Sequence, residues 1–352
     1  MATPRRRMAS NARNITCEKN SWNLAVRNSP LMKQKIVAYK ALPEDVSEYL
    51  REHFEVVFVD AKDPQAFAAA LKDADGAIGA SVKVTPALLE GSRIRALSTI
   101  SVGYDQFDVP DLTKRGIVLA HTPDVLTEST ADTVFSLILA SARRVVELAD
   151  WVKAGHWKAS IGPAQFGVDV QGKTIGIVGL GRIGGALARR AALGFNMKVI
   201  YTNRSANEVA ERDYCARRVE LDELLASADF VCLQVPLTDA TRHMIGTEQL
   251  RKMKKSAILI NASRGATVDE KALIAALEAG TIHGAGLDVF EQEPIDPASP
   301  LLRMPNVVAL PHIGSATHET RHAMARCAAE NLVAALAGTL DRNIVNREVL
   351  AR

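Results

Sequence analysis

The stretch Thr174-Ile-Gly-Ile-Val-Gly-Leu-Gly-Arg-Ile-Gly constrains the fold more than any other part of this chain. Its apolar, β-branched start reads as a buried strand, and it runs straight into Gly179-x-Gly181-x-x-Gly184 with a helical pattern behind it. The first glycine admits a tight turn, the second lets the backbone approach a diphosphate, and the third lets the helix pack closely on the strand. The diphosphate then meets the amino end of that helix, where free N–H groups and the helix dipole favour negative charge. Leu180, Arg182 and Ile183 stand between the glycines and are expected to share the cofactor contact.

On both sides of this unit, short β-branched runs alternate with helical patterns. Residues 36–39, 55–59, 76–79, 96–100 and 118–120 read as strands, with helical stretches at 45–52, 64–70 and 85–90. A long helix is expected over residues 127–153, because Val134, Leu137, Ile138, Val145 and Leu148 fall on one face; a Gly-rich loop at 155–170 follows it. A second series has strands at 174–178, 198–202, 230–235, 257–260, 285–290 and 307–310, and helices at 182–193, 221–226 and 269–279, with Gly280 as a helix stop. A last helix spans 315–337 and could return to the first series. This rhythm predicts an α/β architecture with parallel sheets covered by helices.

The end of the second strand of the fingerprint unit selects the cofactor. NAD-specific proteins place an acid there to hold the ribose 2′-OH. This chain has Asn203-Arg204-Ser205, with no carboxylate to repel a 2′-phosphate and a guanidinium able to bind one. NADP is therefore favoured, with NAD possible.

Three polar residues stand just beyond the carboxyl ends of strands in the second series: Arg264, Glu293 and His312. Open α/β sheets bind ligands along that rim. A guanidinium can hold the carboxylate of a 2-keto acid and polarise its carbonyl. An imidazole can hand the carbonyl oxygen its proton, and a neighbouring carboxylate would orient the ring and favour the imidazolium. Spacing leaves Glu291 open as an alternative partner for the histidine.

Composition excludes several other classes. Residues 1–35 carry eight Lys/Arg against one acid, contributing +7 to a net +3, so the remainder of the chain is about −4 and offers no basic surface for nucleic acid. The four cysteines are scattered, without metal spacing, which predicts no metal site and a reducing, cytoplasmic setting. No apolar run is long enough to span a bilayer. Residues 1–31 lack apolar periodicity and are expected to be a disordered extension, with Met32 the working start; an Arg-rich transit peptide would share that bias.

Residues 36–345 resemble the D-isomer-specific 2-hydroxyacid dehydrogenase family, through the glycine fingerprint, Ala262-Ser-Arg-Gly, Gly286-Leu-Asp-Val-Phe-Glu-Gln-Glu-Pro and Pro311-His-Ile-Gly-Ser. Thr99-Ile-Ser-Val-Gly-Tyr-Asp, His121-Thr-Pro-Asp-Val-Leu-Thr-Glu and Ala159-Ser-Ile-Gly-Pro most resemble its glyoxylate/hydroxypyruvate and 2-ketogluconate reductase branch. The resemblance implies Arg264, Glu293 and His312 as a catalytic trio with His312 the proton donor. It implies substrate carboxylate binding by the amides of Val102 and Gly103, and further cofactor contacts at Thr127, Pro236, Ala262 and Asp288. Two Rossmann-like domains are implied: a discontinuous substrate domain of residues 32–126 and 318–352, and an inserted dinucleotide-binding domain of residues 127–317. A homodimer through the long helix and its loop is also implied, with Trp157 either reaching the partner's active site or anchoring the interface. Competing readings are phosphoglycerate or formate dehydrogenase, and a non-enzymatic dinucleotide-sensing interaction protein of the same fold.

Overall fold

The computed structural model describes residues 33–351; the extension expected over residues 1–31 lies outside the described residues. The first sheet contains β1 (Lys35–Ala38), β2 (Glu55–Phe58), β3 (Gly76–Gly79), β4 (Ala96–Thr99) and β5 (Val118–Ala120), in the order β2-β1-β3-β4-β5. Its helices are α1 (Glu44–His53), α2 (Pro64–Lys72) and α3 (Val109–Arg115). Asp63 caps α2 by accepting from the amides of Gln65 and Ala66, and Asp108 caps α3 through Asp111. Each such cap satisfies amides that a helix start would otherwise leave unpaired.

Two helices, α4 (Thr127–Ala142) and α5 (Val145–Lys153), precede the second sheet. That sheet holds β6 (Thr174–Val178), β7 (Lys198–Thr202), β8 (Arg217–Arg218), β9 (Phe230–Leu233), β10 (Ile258–Asn261), β11 (Gly284–Leu287) and β12 (Val307–Ala309). Their order is β12-β11-β10-β9-β6-β7-β8, and every pairing in both sheets is parallel. The helices are α6 (Arg182–Arg189), α7 (Glu208–Tyr214), α8 (Leu221–Ser227), α9 (Thr247–Lys252) and α10 (Glu270–Glu278). Strands β9, β10 and β11 are buried throughout, as expected where helices cover both faces of a parallel sheet. Strand order reverses between β1 and β3 in the first sheet and between β6 and β9 in the second, and such points open ligand crevices at the strand carboxyl ends.

The last helix, α11 (His318–Leu336), returns to the first sheet. Met324, Ala325, Ala328, Ala329 and Leu332 are buried there among Ile36, Leu50 and Ile78. Ser98 Oγ on β4 donates to the Ala328 carbonyl at 2.7 Å. Farther on, the Asn346 side chain accepts from the Leu119 amide and donates to the Ile117 carbonyl.

Three expectations about elements fail. The helix expected at 85–90 is a single 3₁₀ turn, Pro86–Leu89. The pattern over 182–193 ends as α6 at Arg189 and continues as a wide π turn, Arg190–Gly194. The long helix at 127–153 breaks at Arg143-Arg144, where Arg144 takes a left-handed conformation with φ 54°. Beyond the break the Ala142 carbonyl accepts the Val168 amide at 2.8 Å in place of an amide from a next helical turn. The Arg144 guanidinium then binds Glu147 twice and the carbonyls of Ala164 and Phe166, stapling the returning segment over the break. Val134, Leu137 and Ile138 are fully buried, but Val145, expected on the same face, is 53% exposed.

Candidate active site

Three turns at the carboxyl end of the second sheet carry the polar residues. After β10, Asn261 is buried and organises the turn through four hydrogen bonds: its amide donates to the Arg264 carbonyl and Thr267 Oγ1, and its carbonyl accepts from the Ser263 amide and hydroxyl. Ala262 lies inside this turn, and Arg264 leaves from it. After β11, the buried Asp288 accepts the amides of Ile313 and Gly314 at 2.7 and 2.8 Å, tying this turn to the one after β12 that bears His312. Burial nevertheless pushes the Asp288 carboxyl above its ordinary value, with those two amides opposing. His312 itself has φ 55°, a left-handed conformation costly for a non-glycine residue and typical of positions held by their surroundings for a purpose.

His312 Nδ1 lies 2.7 Å from Glu293 Oε2. An ionised carboxylate only accepts, so Nδ1 carries the proton and Nε2 is left for other work. Glu293 Oε1 accepts the Phe290 amide at 3.1 Å, which fixes the carboxylate. Burial pushes this carboxyl upward, but the hydrogen bond and charge of His312, the Phe290 amide and the Arg264 guanidinium outweigh it and hold the group below its ordinary value. Glu291 faces elsewhere and pairs with His243 at 2.6 Å. Of the two acids left open by spacing, Glu293 is the one beside His312.

Arg264 reaches across to the first sheet. Its Nε donates to Asp105 at 2.9 Å and its Nη1 to the Ser263 carbonyl at 2.8 Å. The remaining Nη2 lies against Gly103 so closely that a Cβ there would overlap it. Around Gly103 the loop after β4 is fully braced by its carbonyls. Ser101 Oγ donates to the Gly103 carbonyl, and His121 Nδ1 lies 2.9 Å from the Val102 carbonyl. Burial lowers the His121 pKa against that hydrogen bond, which favours a neutral imidazole donating through Nδ1. The amides of Val102 and Gly103, by contrast, donate to nothing among the described residues. The sequence motifs contain or adjoin Asp105, Asn261 and His121 but give them no role of their own. Asn261, directly before Ala262-Ser-Arg-Gly at a strand end, and Asp105, closing the motif Thr99-Ile-Ser-Val-Gly-Tyr-Asp, carried a usable signal; that Asp105 meets Arg264, 159 positions away, is not encoded by spacing.

The glycine turn fits a dinucleotide. Gly179 has φ 96°, open to a residue without Cβ, and Gly184 sits so close to the Gly179 carbonyl that any side chain would collide. A Cβ at Gly181 would meet only open space, as a diphosphate approach requires. A groove of about 670 Å³ runs past Gly181, lined also by Leu180, Arg182, Thr127, Asp124 and Asn207. Arg182 pairs with Asp124 at 2.6 Å, and Ile183 packs against the core of the first sheet. Gln234, just past β9 and against Gly179, buries its Nε2 without a partner among the described residues. Pro236 follows it, its carbonyl accepting Thr241 Oγ1. At the end of β7 the Asn203 side chain donates to the Ser205 carbonyl, and the Arg204 side chain is exposed.

Residues 135–314 match the family model described as D-isomer specific 2-hydroxyacid dehydrogenase, NAD binding domain. The glyoxylate/hydroxypyruvate reductase B of Yersinia enterocolitica is 59% identical over 323 residues, covering 91% of this chain and 99% of that protein. This chain belongs to the D-isomer-specific 2-hydroxyacid dehydrogenase family. It is an NAD(P)-dependent oxidoreductase. Among solved structures, the NADPH-dependent glyoxylate/hydroxypyruvate reductase of Sinorhizobium meliloti, in complex with NADP and malonate, superposes with a TM-score of 0.77 at 35% identity, covering 86% of this chain and 93% of that one. A glyoxylate reductase from Paecilomyes thermophila gives a TM-score of 0.81 at 30% identity, covering 90% and 99%. Among the described residues no cluster of His, Cys, Asp and Glu could hold a metal ion, and no helix is long and apolar enough to cross a membrane.

Proposed function

We propose that this enzyme reduces small 2-keto acids (glyoxylate, hydroxypyruvate and 2-ketogluconate) to D-2-hydroxy acids, with NADPH as the preferred donor and NADH the poorer one. The observation that carries this reading is the pair of unclaimed amides at Val102 and Gly103 beside Arg264 Nη2. Two fixed N–H donors and a guanidinium suit a carboxylate with a carbonyl next to it. The reductase names of the relatives and the NADP bound to the Sinorhizobium neighbour support the same choice of substrate and cofactor.

In this mechanism the bound nicotinamide supplies the hydride, and the chain's own residues arrange the rest. The Val102 and Gly103 amides hold the substrate carboxylate. Arg264 binds beside them and draws electron density onto the carbonyl oxygen. His312 gives its Nε2 proton to that oxygen as the carbonyl becomes an alcohol, and the reverse reaction returns the proton to the same nitrogen. Glu293 holds the ring through Nδ1 and stabilises its charged form. At the cofactor end, Gly179, Gly181 and Gly184 admit the diphosphate, Thr127, Pro236, Ala262 and Asp288 complete the cofactor contacts, and Asn203, Arg204 and Ser205 take the 2′-phosphate.

The substrate domain is assigned to residues 32–126 and 318–352 and the cofactor domain to 127–317, in line with the return of α11 to the first sheet. A cytoplasmic homodimer completes the assignment. Its interface would lie on α5, which buries none of its residues, and on the following segment with Trp157 (62% exposed), Ile161 and Phe166. The test is a kcat/KM panel with purified protein. NADPH oxidation with glyoxylate, hydroxypyruvate or 2-ketogluconate is expected, with little turnover of 3-phosphohydroxypyruvate or formate. Inertness toward all three 2-keto acids would overturn the reading.

A further inference from the structure

We propose that Arg218, on the two-residue edge strand β8, is a specificity-determining residue for the cofactor's 2′-phosphate. It would brace the loop that receives the phosphate and add a second uncompensated guanidinium to it. This inference rests on the NADPH preference proposed above.

The loop between β7 and α7 is clamped at both ends. Arg218 reaches it from the next strand, with Nε donating to the Asn203 carbonyl at 3.0 Å and Nη2 to the Arg204 carbonyl at 3.1 Å. At the far end, the Asn207 side chain donates to the Leu180 carbonyl of the glycine turn at 3.1 Å, and its backbone amide donates to Tyr201 Oη at 2.8 Å. Residues 203–206 are thereby strung between the glycine turn and the sheet edge, at the strand end where Rossmann folds read the ribose 2′-position.

Charge singles out Arg218 among its neighbours. Arg217 is paired with Glu223 at 2.8 Å and Arg212 with Asp213 at 2.6 Å, so those cations are compensated. Arg218 bonds only to neutral carbonyls, and the Arg204 side chain makes no hydrogen bond or ion pair among the described residues. Glu211, on α7, is engaged by the Tyr201 hydroxyl at 2.6 Å. Two guanidinium groups without a carboxylate partner therefore serve one short loop, an arrangement that favours a phosphate dianion far more than a hydroxyl. The bridge across two successive carbonyls also needs a forked donor. A lysine keeps the charge and loses the fork, which separates the two contributions.

The experiment is calorimetric titration of the full chain with 2′,5′-ADP and with 5′-AMP, run on the native protein, Arg218→Met, Arg218→Lys and Arg204→Met. Loss of a charge-assisted contact corresponds to about tenfold or more in affinity. The expected result is that Arg218→Met weakens 2′,5′-ADP by about that factor and 5′-AMP far less, with Arg218→Lys in between. If Arg218→Met lowers the melting temperature too far for titration, a loss of selectivity in Arg218→Lys supports the proposal, and native selectivity there overturns it. Native binding of 2′,5′-ADP by Arg218→Met, with a clear loss in Arg204→Met, would overturn the role of Arg218 and leave NADPH preference standing. Equal affinity of the native protein for both probes would remove the NADPH preference itself, and this inference with it.

Discussion

On the first-sheet side of the cleft, the groups available to a ligand are main-chain amides, those of Val102 and Gly103. On the second-sheet side they are the side chains of Arg264, Glu293 and His312. The amides are held by a loop whose carbonyls are already bonded to Ser101 and His121, so they need no ordering when a ligand arrives. Of the side chains, His312 can gain and lose a proton, as proton transfer requires, while Arg264 stays a fixed cation. In the proposed function, backbone suits the constant part of the 2-keto acids, their carboxylate, and side chains suit the part that reacts. Arg264 joins the two sides: it is anchored by Asp105 from the first sheet and lies against Gly103.

That division can be broken most severely at its joint. Arg264→Ala removes the proposed carboxylate contact and carbonyl polariser, and should lower kcat/KM roughly 10³–10⁵-fold while dinucleotide binding, followed by fluorescence titration, persists. His312→Gln leaves the first-sheet side untouched and should cost on the order of 10²–10⁴ in kcat, with little change in substrate KM. Wild-type turnover in that variant would show that the proton comes from elsewhere.

Gly103→Ala is the complementary test, since it alters no chemical group on either side. The added methyl overlaps Arg264 Nη2, and displacing the guanidinium should cost about 10²-fold in kcat/KM, with cofactor affinity retained. The smallest expected effect is on pH dependence. Because the Glu293 carboxyl is held below its ordinary value, the stability it contributes is present above the unfolded carboxylate pKa and is lost as pH falls through the lower folded one. The difference in thermal melts between native protein and Glu293→Gln should be largest above the ordinary carboxylate range and shrink as pH falls through and below it.

The side-chain half of the cleft was legible in the sequence and the backbone half only in part. Arg264, Glu293 and His312 each follow an apolar strand of the second sheet, so their placement on one rim follows from the parallel topology. Val102 and Gly103 were implied by resemblance; that their amides are free is a matter of hydrogen bonds that no spacing encodes. The two charged residues of β8 show no alternation, and the strand exists because Ile200 and Tyr201 offer it a ladder. The break after α4 is invisible to periodicity for a similar reason. Val145 and Leu148 continue the apolar stripe, while the partners at the break, the Val168 amide on the Ala142 carbonyl and the Ala164 and Phe166 carbonyls on Arg144, come from twenty or more residues along the chain. The exposed apolar face that results on α5 keeps the helical pattern without any core of this chain behind it.

The return of α11 bears on how the molecule is made. The strands of the first sheet leave the ribosome before the second series, whereas the helix that covers β3 and β4, and the Asn346 side chain that bonds the β5 segment, emerge only after it. During synthesis the second sheet can close upon itself while the first waits with its apolar face uncovered. Nascent chains stalled before residue 318 should therefore engage chaperones through the face of the first sheet that α11 covers.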